Sequence, residues 1–236
     1  RQLALTDDGS SRKRSYISST SQALGPSVSD GVAVSSGIGS NPTGGANPPI
    51  STPRPTTGHA RDVADPQHDP FDDVWSGNAA YAATFSHAGL SGIASHSLTV
   101  VTCMDTRIDP LAVLGLEPGD AKIIRVAGAR ITDSTISSLV LAVHLLGGRR
   151  VLLMPHTDCG LIGTDDGVRD ALATSTGLDR DDPALISYHP GTMASAAAGL
   201  KEDVARIRVH PLLGRDVDVA AAVYDVHTGR LDPVEI

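Results

Sequence analysis

From residue 97 onward, short apolar runs rich in β-branched residues alternate with segments of helical pattern. Three of these runs, at 97–103, 121–126 and 149–156, have the length and composition of buried strands, and a fourth begins near residue 217. Strands that alternate with helices of about 10–15 residues predict an α/β fold with a mainly parallel central sheet and flanking helices. A turn at 228–229 predicts one added antiparallel strand after the fourth run.

Two connecting segments carry more specific predictions. An amphipathic helix is predicted over residues 78–90, where Tyr81, Phe85 and Leu90 lie toward one side. The acidic, proline-containing stretch 181–183 is typical of a solvated turn. The strand and helix pattern therefore predicts one folded domain, residues 71–236.

The first 70 residues have a different composition. Roughly half of residues 1–60 are Gly, Ser, Thr or Pro, and the few aliphatic residues follow neither a helical nor a strand period. A segment that buries so little apolar surface cannot offset the entropy of ordering its backbone. We expect residues 1–70 to form a disordered tail. Its Ser-rich, acid-poor character would also fit an organellar transit peptide.

Charge and cysteine content exclude several classes of function. The net charge of −8 argues against a nucleic-acid-binding protein, which needs a basic surface. No apolar run approaches the ~18 residues of a membrane-spanning helix, so no membrane partner is expected. Two cysteines in 236 residues cannot make a disulfide-stapled scaffold. We expect a cytoplasmic protein that acts on a small molecule.

Both cysteines and one histidine follow predicted strands. Cys103 ends the first strand, and His156 and Cys159 follow the third, three residues apart. In open α/β sheets, sites form outside the carboxyl ends of the strands. Two thiolates and one imidazole suit Zn²⁺, and three protein ligands leave a fourth position open for water. The alternatives are two buried apolar cysteines with a core histidine, or a disulfide. The joint pattern favours one zinc ion per chain.

Asp105 and Arg107 stand two residues apart, directly after Cys103. Such a pair is often a structural ion pair. Beside a metal, the Asp105 carboxylate could instead accept a hydrogen bond from bound water or occupy the fourth metal position itself. A bidentate contact from Arg107 would fix its orientation and keep it ionised.

Four segments resemble the β-class carbonic anhydrases, particularly their small single-domain bacterial branch. CMDTR (103–107) resembles the Cys-x-Asp-x-Arg motif of the family, and HTDCG (156–160) its His-x-x-Cys motif. IIRVAGA (123–129) is similar to the Arg-Asn-Ala-Gly segment between these motifs, and YDVHTGRL (224–231) to the last strand and turn. The resemblance covers about residues 72–236, with Val126 in place of the usual Asn and an unusual Pro155 before the histidine.

This resemblance implies a function and an assembly. Cys103, His156 and Cys159 would be the zinc ligands, and Asp105 and Arg107 a gating dyad in which Asp105 serves as a fourth ligand in a closed state. The implied reaction is the reversible hydration of carbon dioxide to bicarbonate and a proton by attack of zinc-bound hydroxide. The implied assembly is a homodimer or homotetramer in which the helix near residues 78–90 packs across a partner.

Two alternatives to this reading remain open. The same scaffold supports the hydrolysis of carbonyl sulfide or carbon disulfide, and pocket shape would decide between the substrates. A zinc-stabilised module without catalysis would hold Asp105 permanently on the metal. His144, on an apolar helix face, is interpreted as a core residue and not as a proton shuttle.

Overall fold

The computed structural model describes residues 69–236, and the predicted tail lies almost entirely outside that range. Five strands form one sheet: β1 (Leu98–Thr102), β2 (Ala121–Arg125), β3 (Arg150–Met154), β4 (Asp218–Tyr224) and β5 (Leu231–Val234). Their order is β2-β1-β3-β4-β5; the first four are parallel to their neighbours and β5 is antiparallel to β4. The predicted parallel sheet with one added antiparallel strand is confirmed.

Six α-helices accompany the strands within the described range. They are α1 (Asp72–Ala83), α2 (Pro110–Leu114), α3 (Asp133–His144), α4 (Asp165–Thr176), α5 (Pro183–Ile186) and α6 (Ala196–Val209). Several begin where a side chain accepts a backbone N–H of the first turn, as Thr132 does for α3 and Ser195 for α6. None of the described helices is long and apolar enough to cross a membrane.

The sheet has two different faces because successive side chains of a strand point in opposite directions. On one face, Val101 and Leu153 pack in a cluster with apolar side chains of α3 and α6. On the other face, Val100 and Met154 pack with both cysteines. The two clusters form the hydrophobic core, and the second one contains the two cysteines.

The structure corrects two sequence-based expectations about helices. The first helix spans Asp72–Ala83 and not 78–90, since Asp72 and Asp73 favour an earlier start and the chain leaves the helix at Thr84. The expected solvated turn at 181–183 holds for the exposed Asp181, but Pro183 already begins α5, because the Asp182 carboxylate accepts the amide of Ala184.

Candidate metal centre

The strand order brings the predicted site residues together. Chain connections leave β1 toward β2 on one side and leave β3 toward β4 on the other. A crevice forms where two neighbouring parallel strands send their connections in opposite directions, at the carboxyl ends. Cys103 directly follows β1, and His156 lies two residues beyond β3. The topology therefore delivers both residues to the same crevice.

The three predicted ligand side chains form one compact buried group. One ligand atom from each of Cys103, His156 and Cys159 lies within 4.8 Å of the other two. The exposed fractions of these residues are 5%, 1% and 5%. Two thiolates and one imidazole are a donor set used by zinc sites that have three protein ligands and keep the fourth position open.

The histidine is oriented for metal binding. Its Nδ1 donates to the backbone carbonyl of Thr157 at 2.7 Å, which leaves a lone pair on Nε2. His156 Nε2 is buried and has no hydrogen-bond partner within the described part of the chain. A buried polar atom without a partner is costly. A metal ion bound at Nε2 would satisfy this atom, so the donor set fits Zn²⁺.

The two cysteine thiols contact each other, and this contact favours ionisation of Cys103 over that of Cys159. Contact with Cys159 lowers the pKa of Cys103 to about 4, and the neighbouring His156 ring and two backbone amides act in the same direction against burial. The same contact, together with burial, raises the pKa of Cys159 far above its ordinary value. Burial lowers the pKa of His156, but its contacts with Cys103 and Asp105 outweigh burial and the net shift is upward. Metal binding here must therefore release protons.

Asp105 points its carboxylate at Arg107. Oδ1 accepts the backbone N–H and Nε of Arg107 at 2.9 and 3.0 Å, and Oδ2 accepts Nη2 at 2.8 Å. These hydrogen bonds hold the pKa of Asp105 well below its usual range. Oδ2 also lies 3.8 Å from His156 Nε2, at the edge of the ligand group. An ionised carboxylate in this place accepts hydrogen bonds and donates none.

Sequence reasoning missed Arg125, the last residue of β2. Its Nε donates to the carbonyl of Cys103 at 3.1 Å, and its Nη2 to the carbonyl of Asp105 at 2.5 Å. Arg125 therefore ties down the backbone that carries one proposed ligand and the adjacent carboxylate. The available signal was a charged residue at the carboxyl end of an apolar strand, beside a strand that ends in Cys103.

The ligand loop is also tied to the last parallel strand. The amide of Thr157 donates to the carbonyl of Tyr224, and the amide of Tyr224 to the carbonyl of Pro155, both at 2.9 Å. Asp158 adopts a left-handed conformation (φ 56°), which Asp tolerates better than most residues and which turns the chain toward Cys159. Its carboxylate contacts Nε2 of His227 at 2.6 Å. The contact between Pro155 and Tyr224 uses the carbonyl of the proline, so it does not need the backbone N–H that proline lacks.

Two further residues noted in the sequence are Val126 and His144. Val126 offers no polar side chain where the family usually has Asn; it packs partly buried against the α3 face of the sheet. His144 is not a core residue as expected: it is exposed, because it lies on the outward face of α3. Its Nε2 is 2.6 Å from the carbonyl of Leu212, and α3 packs on the sheet face opposite the one that carries the cysteines.

Comparison with known proteins agrees with this geometry. A family model described as carbonic anhydrase matches residues 98–231. Beta-carbonic anhydrase 1 of Mycobacterium tuberculosis is 34% identical over 164 residues, which are 69% of this chain and 96% of that protein. The carbonic anhydrase of Streptococcus mutans has a similar solved structure, with a TM-score of 0.62, 33% identity and coverage of 71% of this chain and 99% of that one.

A third similar protein has a different named activity. A carbon disulfide hydrolase of an Acidianus strain is 31% identical over 153 residues, which are 57% of this chain and 75% of that protein. The family match nevertheless covers more than half of the chain and contains both cysteine motifs. The chain belongs to the β-carbonic anhydrase family of enzymes.

Proposed function

We propose that this chain catalyses the reversible hydration of carbon dioxide, with one zinc ion held by Cys103, His156 and Cys159. The observation that carries the proposal is the buried Cys–His–Cys group in which His156 Nε2 lacks any described partner. Zinc bound there would supply a coordinated water that ionises near neutral pH, which is the chemistry that hydration requires.

In the proposed reaction, Asp105 orients the attacking oxygen. Its carboxylate stays ionised beside Arg107, so it accepts a hydrogen bond only from an oxygen that carries a proton. An oxygen that donates a hydrogen bond to Asp105 Oδ2 keeps a lone pair free to attack the carbon of the substrate. Arg107 holds the carboxylate through two side-chain contacts, which fixes that orientation.

The surroundings suit an uncharged substrate. The ligand group lies in an apolar cluster that includes Val100, Ile108, Met154 and Met193. Such side chains exclude water from the pocket and offer no hydrogen bond to a small apolar molecule. Carbon dioxide suits this environment better than the charged product does, which favours release of the product to solvent.

Carbon disulfide or carbonyl sulfide is the second candidate substrate. The identity with the Acidianus hydrolase supports it, and the ligand group would serve either reaction. Hydration of carbon dioxide and release of hydrogen sulfide from carbon disulfide and carbonyl sulfide should be measured on one zinc-loaded preparation. We expect fast hydration and little sulfide. Sulfide release with slow hydration would favour the second candidate, and zinc binding without turnover would favour a non-catalytic zinc module.

We also propose that the chain works as a homo-oligomer, a dimer or a tetramer. None of the residues of α1 is buried, although the helix and its flanks carry Phe71, Trp75, Tyr81 and Phe85. Each of these aromatic side chains is about half exposed. An apolar helix surface of this kind is stabilised when a second copy covers it.

A further inference from the structure

The turn after β2 contains two successive residues with left-handed backbone. Gly128 has φ 66° and Ala129 has φ 58°. Glycine adopts this conformation freely, whereas it costs free energy for alanine, so surrounding contacts must hold Ala129 in place. The backbone amide of Gly128 contacts Cys103. The position of this strained turn therefore affects a proposed zinc ligand directly.

Two side chains pack closely on Gly128. A Cβ added there would lie 2.9 Å from Leu161 Cδ1 and 3.1 Å from Met193 Cε, so a larger residue would have to push these two side-chain ends aside. Met193 also joins the ligand loop through its backbone: its amide donates to the carbonyl of Leu161, and its carbonyl accepts the amide of Gly163, both at 2.9 Å. Gly128, Leu161 and Met193 thus form one wall beside the cysteine pair.

Arg130 connects both sides of this wall. It follows the strained turn directly, and its Nη1 donates to the carbonyls of Gly191 and Thr192, each at 3.3 Å. Thr192 precedes Met193 in the chain. A single guanidinium therefore links the turn that carries Gly128 to the segment that carries Met193, using the fixed fork of donors that arginine offers.

Asp203 of α6 anchors this guanidinium. Arg130 Nε lies 2.9 Å from Asp203 Oδ2, and Nη2 lies 3.3 Å from Asp203 Oδ1. The Asp203 side chain is only 6% exposed, and the Arg130 side chain 15%. A carboxylate this deep needs a charged partner, and removing either partner leaves an uncompensated buried charge. Glu202 also contacts Arg130 Nη2, but its side chain is 70% exposed.

We propose that the Arg130–Asp203 ion pair is a positioning pair, which holds the Gly128–Ala129 turn and Met193 against Cys103 and Cys159 and so controls how firmly the metal is kept. The inference rests on the zinc site of the proposed function, but not on which substrate is used. It assigns a role to two residues that lie outside the ligand motifs and touch neither metal nor substrate.

Three variants separate this role from general stability. Arg130→Lys keeps the charge beside Asp203 but cannot reach both carbonyls at once. The double variant Arg130→Met with Asp203→Leu fills a similar volume without a lone buried charge, and it also lacks the carbonyl contacts. Glu202→Gln is the matched control, because it removes only the exposed partner of the same guanidinium.

Two measurements on the zinc-loaded 236-residue chain test the proposal. The first is the rate of zinc release to a chromogenic chelator. The second is the NMR shift of the methionine methyl groups, which are easily assigned because the chain has only three methionines. Met104 is 65% exposed and serves as the reference for Met193.

We expect Arg130→Lys and the double variant to release zinc about tenfold faster or more, as is usual when a contact behind a metal ligand is lost. The Met193 methyl signal should move while that of Met104 stays. Glu202→Gln should match the wild type in both measurements. Folded variants of the pair with wild-type zinc release and an unmoved Met193 signal would overturn the proposal.

Variants that fail to fold, or a wild type that takes up no zinc, also decide between the proposals. If Arg130→Lys and the double variant both fail to fold while Glu202→Gln folds, the pair maintains the whole domain and the proposed pocket-specific role is wrong. If the wild type takes up no zinc, the proposed function fails. The Met193 signal of metal-free protein still tests the positioning role in that case.

Discussion

Asp105 accepts three hydrogen bonds from Arg107, two of them from the guanidinium group, so its carboxylate is turned toward the arginine. In this arrangement Asp105 Oδ2 is 3.8 Å from His156 Nε2 and is not part of the Cys–His–Cys group. With zinc held by the Cys–His–Cys group, this arrangement would leave the fourth metal position free, which is the open state that we propose for the gating dyad.

Removing the charge of Asp105 tests whether this arrangement matters for turnover. Asp105→Asn presents an amide that can donate as well as accept, so it no longer selects one orientation of the attacking oxygen. We expect the hydration rate per bound zinc to fall by about tenfold or more, the usual loss when a positioned proton acceptor is removed. Stopped-flow measurement with zinc analysis checks this. A rate equal to that of the wild type would reduce the dyad to a structural ion pair.

The Asp105–Arg107 contact also predicts a pH dependence of stability. The pKa of Asp105 is depressed in the folded state, so the contact is fully stabilising above the unfolded pKa near 3.9 and its contribution is lost as pH falls from there toward the folded value. Arg107→Ala should lower the free energy of unfolding of the metal-free protein by about 1 kcal/mol at pH 6, given the partial exposure of the pair.

This difference should shrink when urea unfolding is repeated toward pH 3. Arg230→Ala, which breaks an exposed contact with Asp232, is the control and should have no measurable effect at either pH. A difference between Arg107→Ala and the wild type that stays constant from pH 6 to pH 3 would contradict the ionic origin of the contact.

The exposed aromatic side chains of α1 predict an interface. Trp75 is 57% exposed, so Trp75→Glu should cost the isolated fold little while placing a charge in a surface covered by a second copy. Sedimentation at micromolar concentration should show an oligomer for the wild type and dissociation for Trp75→Glu. Ser76→Glu, also exposed and on the same helix, is the charge control. A fully active wild-type monomer would rule out the proposed assembly.

The composition of the first 68 residues predicts that they are dispensable for chemistry. All of the proposed site residues lie beyond position 100, on elements built from residues 98–231. A chain that starts at Asp69 should keep the hydration rate per bound zinc of the longer chain. A large loss of rate, with zinc content unchanged, would show that the amino-terminal segment helps to build the site or the oligomer.

The sheet and the ligand group followed from local sequence patterns. β-Branched runs such as 97–103, bounded by turn residues, favour buried strands, and the carboxyl ends of neighbouring parallel strands meet at one edge of the sheet, which places Cys103 near His156. The first helix was misplaced because an exposed helix lacks the buried stripe from which periodicity is read; none of its residues is buried. His144 was misassigned because an apolar helix surface was assumed to face the core.

Contacts between distant segments could not be predicted from one sequence. Arg125 donates to carbonyls 20 and 22 positions earlier in the chain, and these contacts depend on the register of β1 and β2. Arg130 meets Asp203 across 73 positions. Such partners are set by tertiary packing, and a charged residue at a strand end or in a turn gives no sign of which backbone groups it will reach.

Zinc titration of the metal-free chain, followed by stopped-flow measurement of carbon dioxide hydration, tests whether zinc at the Cys–His–Cys group carries the reaction. We expect the rate to rise linearly up to one zinc per chain and then to stay constant. We also expect Cys159→Ser, which removes one of two thiolates, to need far more zinc and to lose it to a chelator, while Met104→Leu at an exposed neighbouring position behaves as the wild type. Hydration that needs no zinc, or undiminished zinc retention by Cys159→Ser, would contradict it.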